Sequence, residues 1–281
     1  MLKPPKIFLS DNGSLRPEAT LQLRCLADAL TNRLGLPVDP VSVLHSYKVD
    51  PALLGGKKAR IFNPSMRRAV ADGHREIIVL PLFLGPSQAI TKYLPELIEV
   101  AREDTPELQV LIAEPLAGTS VEAPDPRLAQ ILADNVRKTM AAEQLERPKV
   151  AVVDHGTPIR PVNALRNAVA GQVEELLGDS VTGVVPCSME RREGPEYAFN
   201  DPLLENLDSL DGFAGGDLVA AMFFLLPGRH AGAGGDVAEI AEEASQCGGF
   251  DRIQMTELMT THPLLLEILL DRANEALAKL A

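Results

Sequence analysis

The sequence has few side chains that stack on flat ligands and few that form disulfides or thiolate metal sites. It contains no tryptophan, and aromatic residues make up 4% of its 281 residues. The sequence therefore offers few aromatic side chains on which nucleobases or sugars could stack. Its three cysteines, Cys25, Cys187 and Cys247, lie far apart and form no CxxC pair. This spacing argues against a disulfide framework and against a thiolate zinc site.

Basic residues are also scarce relative to acidic ones. Lys and Arg number 27 against 39 Asp and Glu, which gives a formal charge of -12, so we expect no binding to nucleic acid or to anionic membranes. The longest apolar runs, such as Ile77–Leu84 and Leu218–Leu226, fall well short of the roughly 20 residues that cross a bilayer. The first residues show no apolar signal-peptide region, so we expect a cytoplasmic protein.

Short apolar runs alternate with helical patterns along the chain. The predicted strands are Ile7–Ser10, Val41–Leu44, Ile77–Leu84, Val110–Ala113, Val150–Val153, Val181–Pro186, Leu218–Leu225 and Arg252–Met255. Continuous apolar runs of this kind are typical of parallel strands buried on both faces. Between them, apolar residues recur at helical spacing, as in the segment before Gly35 and the segment before Gly178. The alternation predicts an α/β fold with right-handed crossovers.

The chain repeats itself once. Asp11-Asn12-Gly13 after the first strand matches Asp154-His155-Gly156 after the fifth, at an offset of 143 residues (154 − 11). The pair Phe62-Asn63 recurs as Phe199-Asn200. A period this long indicates duplicated domains. We predict two tandem flavodoxin-like domains, residues 1–146 and 147–281. Each would have a four-stranded, mainly parallel sheet with helices on both faces, and strands and helices would alternate throughout.

Titratable side chains follow three strands of the second half. His155 comes after its first strand, Glu190 just after its second and His230 after its third. Ligands of open parallel sheets bind at the carboxyl ends of the strands, so we expect these three side chains to share one crevice.

The matching positions of the first half are Asn12, roughly Tyr47, and Ala89. The first half has therefore lost every titratable group that the second half has after its strands. This asymmetry indicates that one half holds a working site and that the other half serves as scaffold.

Two histidines and one glutamate suit two kinds of chemistry. They can bind a borderline transition metal such as Co²⁺, Ni²⁺, Fe²⁺ or Zn²⁺, and they can accept protons near neutral pH. Three ligands leave coordination positions open, which fits a metal in transit or in catalysis better than a closed structural site.

The motifs around these residues resemble a known family. Asp154-His155-Gly156-Thr157, Ser188-Met189-Glu190 and Leu226-Pro227-Gly228-Arg229-His230 are similar to segments of the CbiX/SirB sirohydrochlorin chelatases. The resemblance implies tandem chelatase-like domains and insertion of Co²⁺ or Fe²⁺ into a tetrapyrrole, in cobalamin or siroheme biosynthesis. It also implies His155, His230 and Glu190 as catalytic and metal-binding residues. The divalent metal (Co²⁺, Fe²⁺ or Ni²⁺) would be a substrate, and no cofactor would be permanently bound.

Four arginines lie next to the predicted site in sequence: Arg160, Arg191, Arg192 and Arg229. Sirohydrochlorin carries many carboxylates, so we expect these arginines to bind substrate. The Gly-rich segment 231–235 would let backbone approach the macrocycle, or would present N–H groups at a helix start. Because the imidazoles must be neutral to act, we expect activity to fall below roughly pH 6.

Two other functions are considered. The first is a non-catalytic protein that holds a metal or a tetrapyrrole, which the long Gly-rich loop and the charged segment after Glu190 suggest. The second is phosphoryl transfer through a His-Gly motif, which would need an arginine where Asp154 stands. The duplication lets one chain supply what two half-size subunits would, and this favours a monomer.

Overall fold

The computed structural model describes residues 3–232 and 234–280, and it contains two four-stranded sheets. The first sheet has the order β2-β1-β3-β4 and consists of β1 (Lys6–Asp11), β2 (Val38–Ser42), β3 (Glu76–Pro81) and β4 (Gln109–Ile112). The second has the order β6-β5-β7-β8 and consists of β5 (Lys149–Asp154), β6 (Gly183–Ser188), β7 (Asp217–Met222) and β8 (Arg252–Met255). All strand pairs are parallel. The predicted α/β class is confirmed.

Seven α-helices accompany the sheets within the described residues. They are α1 (Pro17–Leu34), α2 (Phe62–Ala71), α3 (Leu94–Asp104), α4 (Arg127–Glu143), α5 (Arg160–Leu177), α6 (Asp236–Gln246) and α7 (Pro263–Leu280). Helix α1 ends where Gly35 takes φ 68°, and α5 ends before Gly178 at φ 48°. Both ends were predicted, because glycine reaches this backbone region without a Cβ penalty.

Seven of the eight strands differ from their predicted bounds, by one to three residues at an end, and β8 has the predicted bounds. β2 begins at Val38 rather than Val41, because it is an edge strand and therefore tolerates Pro40, which cannot donate a ladder hydrogen bond. β7 ends at Met222 although the apolar run continues to Leu225. The extra apolar residues lie in the connection at the carboxyl end of the strand.

The second half lacks the helix expected between its second and third strands. Two short 3₁₀ helices, Pro195–Asn200 and Leu204–Ser209, occupy the segment. Pro202 lies between them and has no N–H to continue a helix. Gly212, Gly215 and Gly216 follow with positive φ, which again opposes helix formation. The expected strand-helix alternation is therefore wrong for this segment.

Hydrogen bonds define which residues of the two halves are equivalent. The N–H of Leu44 donates to Asn12 O (3.1 Å), as the N–H of Glu190 donates to His155 O (3.2 Å). The counterpart of Glu190 is therefore Leu44, and the prediction of Tyr47 is wrong by three residues.

The same comparison corrects the pairing of Phe62 with Phe199. Ile61 bridges to Ser42 as Leu203 bridges to Ser188. The next residues, Phe62 and Leu204, are both buried in the core of their own unit. Phe62 is thus the equivalent of Leu204.

Contacts divide the chain into two compact units. The described residues up to 119 group with those from 266 onward, and residues 120–265 group with one another. The boundary predicted between residues 146 and 147 separates the two sheets, whereas the contacts assign α4 to the second unit and most of α7 to the first. The boundary of the two predicted domains stays a prediction. None of the described helices has the length and the apolar content needed to cross a bilayer.

Candidate metal and proton-transfer site

Three parallel strands of the second unit end at one edge of the sheet and carry the predicted residues. His155 directly follows β5, Glu190 lies two residues after β6, and His230 lies in the loop between β7 and α6. β5 is central and pairs with both β6 and β7. The three side chains therefore start from neighbouring strand ends, at the switch point where ligands bind in such folds.

The structure brings these side chains together. The imidazole rings of His155 and His230 lie edge to face, with centroids 4.4 Å apart and an interplanar angle of 67°. The Nε2 atom of His155 lies 3.3 Å from Oε1 of Glu190. The exposed fractions of the side chains of His155, Glu190 and His230 are 44%, 59% and 33%. All three side chains are therefore partly exposed to solvent.

Each imidazole has a partner at Nδ1. His155 Nδ1 lies 3.0 Å from the carbonyl oxygen of Gly156, and His230 Nδ1 lies 2.7 Å from Oδ2 of Asp236. Within residues 3–232 and 234–280, no three His, Cys, Asp or Glu side chains are grouped as metal ligands. The carboxylates of Glu190 and Asp236 pair with one imidazole each instead of surrounding a common point.

The loops after β5 and β6 are joined by backbone hydrogen bonds. The N–H of Met189 donates to Asp154 O (2.7 Å), and the N–H of Glu190 donates to His155 O (3.2 Å). Gly156 has φ 91°, and a Cβ placed there would stand 1.9 Å from Glu190 O. Only glycine permits this close approach, so the Gly after His155 sets the separation of the two loops.

A buried ionic network lies beneath His155. The guanidinium of Arg166 is 1% exposed, lies 3.4 Å from Asp154 Oδ1 and donates to Ser188 Oγ at 2.9 Å. Ser188 Oγ donates to the same Asp154 oxygen at 2.7 Å, and that oxygen also accepts the N–H of Gly156 at 3.0 Å. The network ties together the ends of β5 and β6, the strands that precede two of the predicted site residues.

Arg166 is not among the predicted site residues, although its position in the sequence carries a signal. Arg166 lies within the apolar stripe of α5, four residues after Val162 and three before Val169. A charged residue on a buried helix face needs a partner of opposite charge, and Asp154 at the end of the neighbouring strand supplies it.

Asn200 connects the His155 loop to the segment after β6. Its Oδ1 accepts the N–H of Thr157 at 3.0 Å, and its Nδ2 donates to Thr157 O (2.9 Å) and to Tyr197 O (3.0 Å). Asn200 is fully buried. It was identified as part of a repeat, but it supports the loop that carries His155.

The four predicted arginines fall into two pairs. Arg160 lies over the ring of Phe199, with 4.6 Å from Cζ to the centroid, and Arg192 lies over Tyr197 at 5.8 Å. Arg191 donates to Asp201 Oδ1 at 2.8 Å, and Arg229 Nε lies 3.5 Å from Asp236 Oδ2. The first pair is held on aromatic faces, and the second pair is engaged with carboxylates.

The Gly-rich segment 231–235 directly precedes α6, with Gly235 as its N-cap. Ala233 of this segment lies outside the described residues. The N–H of Asp236 donates to Arg229 O (3.1 Å), and the N–H of Val237 donates to His230 O (3.1 Å). These two hydrogen bonds place the first turn of α6 next to His230.

The equivalent positions Asn12 and Leu44 of the first unit have no titratable group, and neither has Ala89, the predicted counterpart of His230. Asp11 remains buried at the end of β1, in the position of Asp154. Burial raises the pKa of Asp11 to about 6, although hydrogen bonds from Ser42 and from the backbone of Gly13 lower it. Among the described residues, Asp11 Oδ1 has no hydrogen-bond partner.

Comparisons with known proteins agree with this fold. Residues 6–139 match the CbiX family model, which confirms the expected resemblance for the first domain. The search of curated proteins found no match.

Solved structures extend the likeness over the whole chain at the level of the fold. "SirB from Bacillus subtilis with Fe3+" has a TM-score of 0.70 at 15% identity and covers 99% of this chain and 97% of that chain. The sirohydrochlorin chelatase SirB from Bacillus subtilis subspecies spizizenii, in complex with cobalt, gives 0.69 at 13% identity with the same coverage. CbiX, the terminal enzyme for siroheme biosynthesis in denitrifying bacteria, gives 0.56 at 14% identity and covers 96% of this chain and 99% of that chain.

Proposed function

We propose that this chain is a sirohydrochlorin chelatase, which inserts a divalent metal ion into the tetrapyrrole, and the match of residues 6–139 to the CbiX family model supports this. The observation that carries the proposal is the pair of partly exposed imidazoles, His155 and His230, whose centroids lie 4.4 Å apart. Co²⁺ or Fe²⁺ is the metal that the resemblance to the CbiX/SirB chelatases implies, and a set of two histidines and one glutamate suits cobalt, nickel and iron alike. The product would enter cobalamin or siroheme biosynthesis.

Metal insertion into a tetrapyrrole requires proton acceptors and metal ligands in one place. Insertion breaks two pyrrole N–H bonds, forms bonds from ring nitrogens to the metal, and releases two protons. A neutral imidazole can bind the incoming ion or accept one of these protons. Two adjacent imidazoles, His155 and His230, can divide these tasks, and the carboxylate of Glu190 beside His155 attracts the cation. These roles are our proposal for the three residues.

Substrate carboxylates would be held by the arginines near the site. Arg160 and Arg192 are the stronger candidates, because stacking on Phe199 and Tyr197 orders their guanidinium groups without neutralising their charge. Arg191 and Arg229 already contact Asp201 and Asp236. Each would have to leave this carboxylate before it could bind a carboxylate of the substrate.

Further expectations concern partners and location. We propose a cytoplasmic monomer without a resident cofactor and without nucleic-acid or membrane partners. Light scattering on the purified protein measures its mass, metal analysis after purification measures any retained ion, and cell fractionation tests the location.

The test is a comparison of initial insertion rates. Sirohydrochlorin and Co²⁺, or Fe²⁺ without oxygen, are mixed with wild-type protein, His155→Ala or His230→Ala, and spontaneous insertion is subtracted. Loss of a positioned proton acceptor typically costs about 10²-fold or more, so each variant should be slower by at least that factor. His45→Asn is the control, because His45 is an exposed histidine outside the predicted site. Wild-type rates in both His155 and His230 variants would refute the proposal.

A further inference from the structure

Asp236 holds one nitrogen of His230. The distance from His230 Nδ1 to Asp236 Oδ2 is 2.7 Å, and the two side chains are 33% and 30% exposed. An ionised carboxylate accepts hydrogen bonds and donates none. The hydrogen of a neutral His230 therefore lies on Nδ1, and the lone pair is left on Nε2.

Backbone hydrogen bonds and a glycine hold Asp236 close to His230. The N–H of Asp236 donates to Arg229 O, and the N–H of Val237 donates to His230 O, both at 3.1 Å. A Cβ at Gly235 would stand 3.0 Å from backbone atoms of Arg229 and His230. The glycine before Asp236 thus permits the close packing that sets the carboxylate against the imidazole.

The two imidazoles of the site differ in what their Nδ1 atoms face. His155 Nδ1 faces a neutral carbonyl oxygen, that of Gly156, at 3.0 Å. His230 Nδ1 faces a carboxylate, which polarises an imidazole more strongly and makes the opposite nitrogen a better ligand. Arg229 Nε lies 3.5 Å from the same Asp236 oxygen, with 82% of its side chain exposed.

We propose that Asp236 is a positioning residue that orients His230 and selects the Nδ1–H form, so that Nε2 is presented to the metal ion or to a substrate proton. This inference rests on the proposed function for its purpose, but the tautomer and the metal affinity of His230 are measurable without any insertion reaction. Asp236 acts through His230 and is not itself assigned a contact with substrate.

The experiment is long-range ¹H–¹⁵N NMR of histidine-labelled protein at about pH 8, above the ordinary histidine pKa of roughly 6.5. In the wild type, His230 should show a protonated Nδ1 and an unprotonated Nε2. Asp236→Ala should give a mixture of both tautomers. Asp236→Asn should lie between the two, because its amide oxygen still accepts a hydrogen bond. Glu239→Gln, which changes another acidic residue in the first turn of α6, is the control and should match the wild type.

Co²⁺ titration of the same proteins gives the second measurement. Loss of a carboxylate behind a histidine ligand typically weakens metal binding by about 10–100-fold, and we expect this for Asp236→Ala. An unchanged His230 tautomer, or a changed tautomer with unchanged Co²⁺ affinity, would overturn the inference. If wild-type protein binds Co²⁺ but inserts none into sirohydrochlorin, the proposed function is wrong. The Co²⁺ affinities of the Asp236 variants still test the role of Asp236 in metal binding.

Discussion

Asp11 and Asp154 end the central strands of the two sheets at equivalent positions, but among the described residues only Asp154 lies beside a buried arginine. Asp11 pairs in register with Ser42, as Asp154 pairs with Ser188. The residue 143 positions before Arg166 is Leu23, which is 2% exposed. The unit with the histidine pair has kept a charged partner for its buried carboxylate, and the other unit has an apolar residue there.

Replacing Asp11 should stabilise the protein at neutral pH. The unfolded carboxyl ionises near 3.8, whereas burial raises the pKa of folded Asp11 to about 6. The ionised form is therefore penalised in the folded state, and wild-type stability is lost as pH rises from about 4 to 6. The penalty above pH 6 is about 3 kcal/mol, at 1.36 kcal/mol per pKa unit.

Denaturant unfolding of Asp11→Asn and wild type at pH 4 and pH 7.5 measures this effect. The variant should gain stability relative to the wild type at pH 7.5 and show little gain at pH 4. Asp28→Asn, on the exposed face of α1, serves as the control. A gain of equal size at both pH values would rule out ionisation of Asp11 as the cause.

Arg166→Leu should destabilise the second unit, because it leaves Asp154 buried without its cation. Removing one partner of a buried ion pair typically costs about 3–5 kcal/mol. The double variant Arg166→Leu with Asp154→Asn removes the uncompensated charge and should recover most of the loss. Urea unfolding of the two variants provides the measurement, and a single-variant loss below about 1 kcal/mol would speak against the network.

Much of the site was predictable because parallel strands impose a simple geometry. His155, Glu190 and His230 could be placed together from three strand ends alone, since all carboxyl ends lie at one edge. Connection lengths were not predictable in the same way. The second half has three more residues between its first and second strand ends, which shifted the predicted counterpart of Glu190 to Tyr47 instead of Leu44.

The contacts that irregular segments make could also not be predicted from the sequence. Asp236 lies next to His230 because the N–H groups of Asp236 and Val237 donate to the carbonyl oxygens of Arg229 and His230. The second half has no α-helix between β6 and β7 because this segment contains Pro195, Pro202 and three glycines at positive φ. The internal repeat alone predicted a helix there. Arg166, by contrast, carried a signal in its position on an apolar helix face.

The arginine variants should differ in how much they raise KM for sirohydrochlorin. Arg160→Ala and Arg192→Ala remove guanidinium groups held on aromatic rings, and each should raise KM for sirohydrochlorin by about tenfold, which corresponds to about 1.4 kcal/mol of binding. Arg191→Ala should change KM little and lower stability by about 1 kcal/mol, because Arg191 donates to Asp201 and to backbone carbonyls. Equal increases in KM for all three variants would contradict this division.

Counting product per protein chain tests the central claim most directly. Limiting wild-type protein is given excess sirohydrochlorin and Co²⁺, and the metallated product is counted by absorbance after subtraction of the spontaneous reaction. A chelatase working through His155 and His230 should form many product molecules per chain, and the double variant His155→Ala with His230→Ala should form none above background. A yield that stops at one tetrapyrrole per chain, with a spectral shift and no turnover, would identify a binding protein instead.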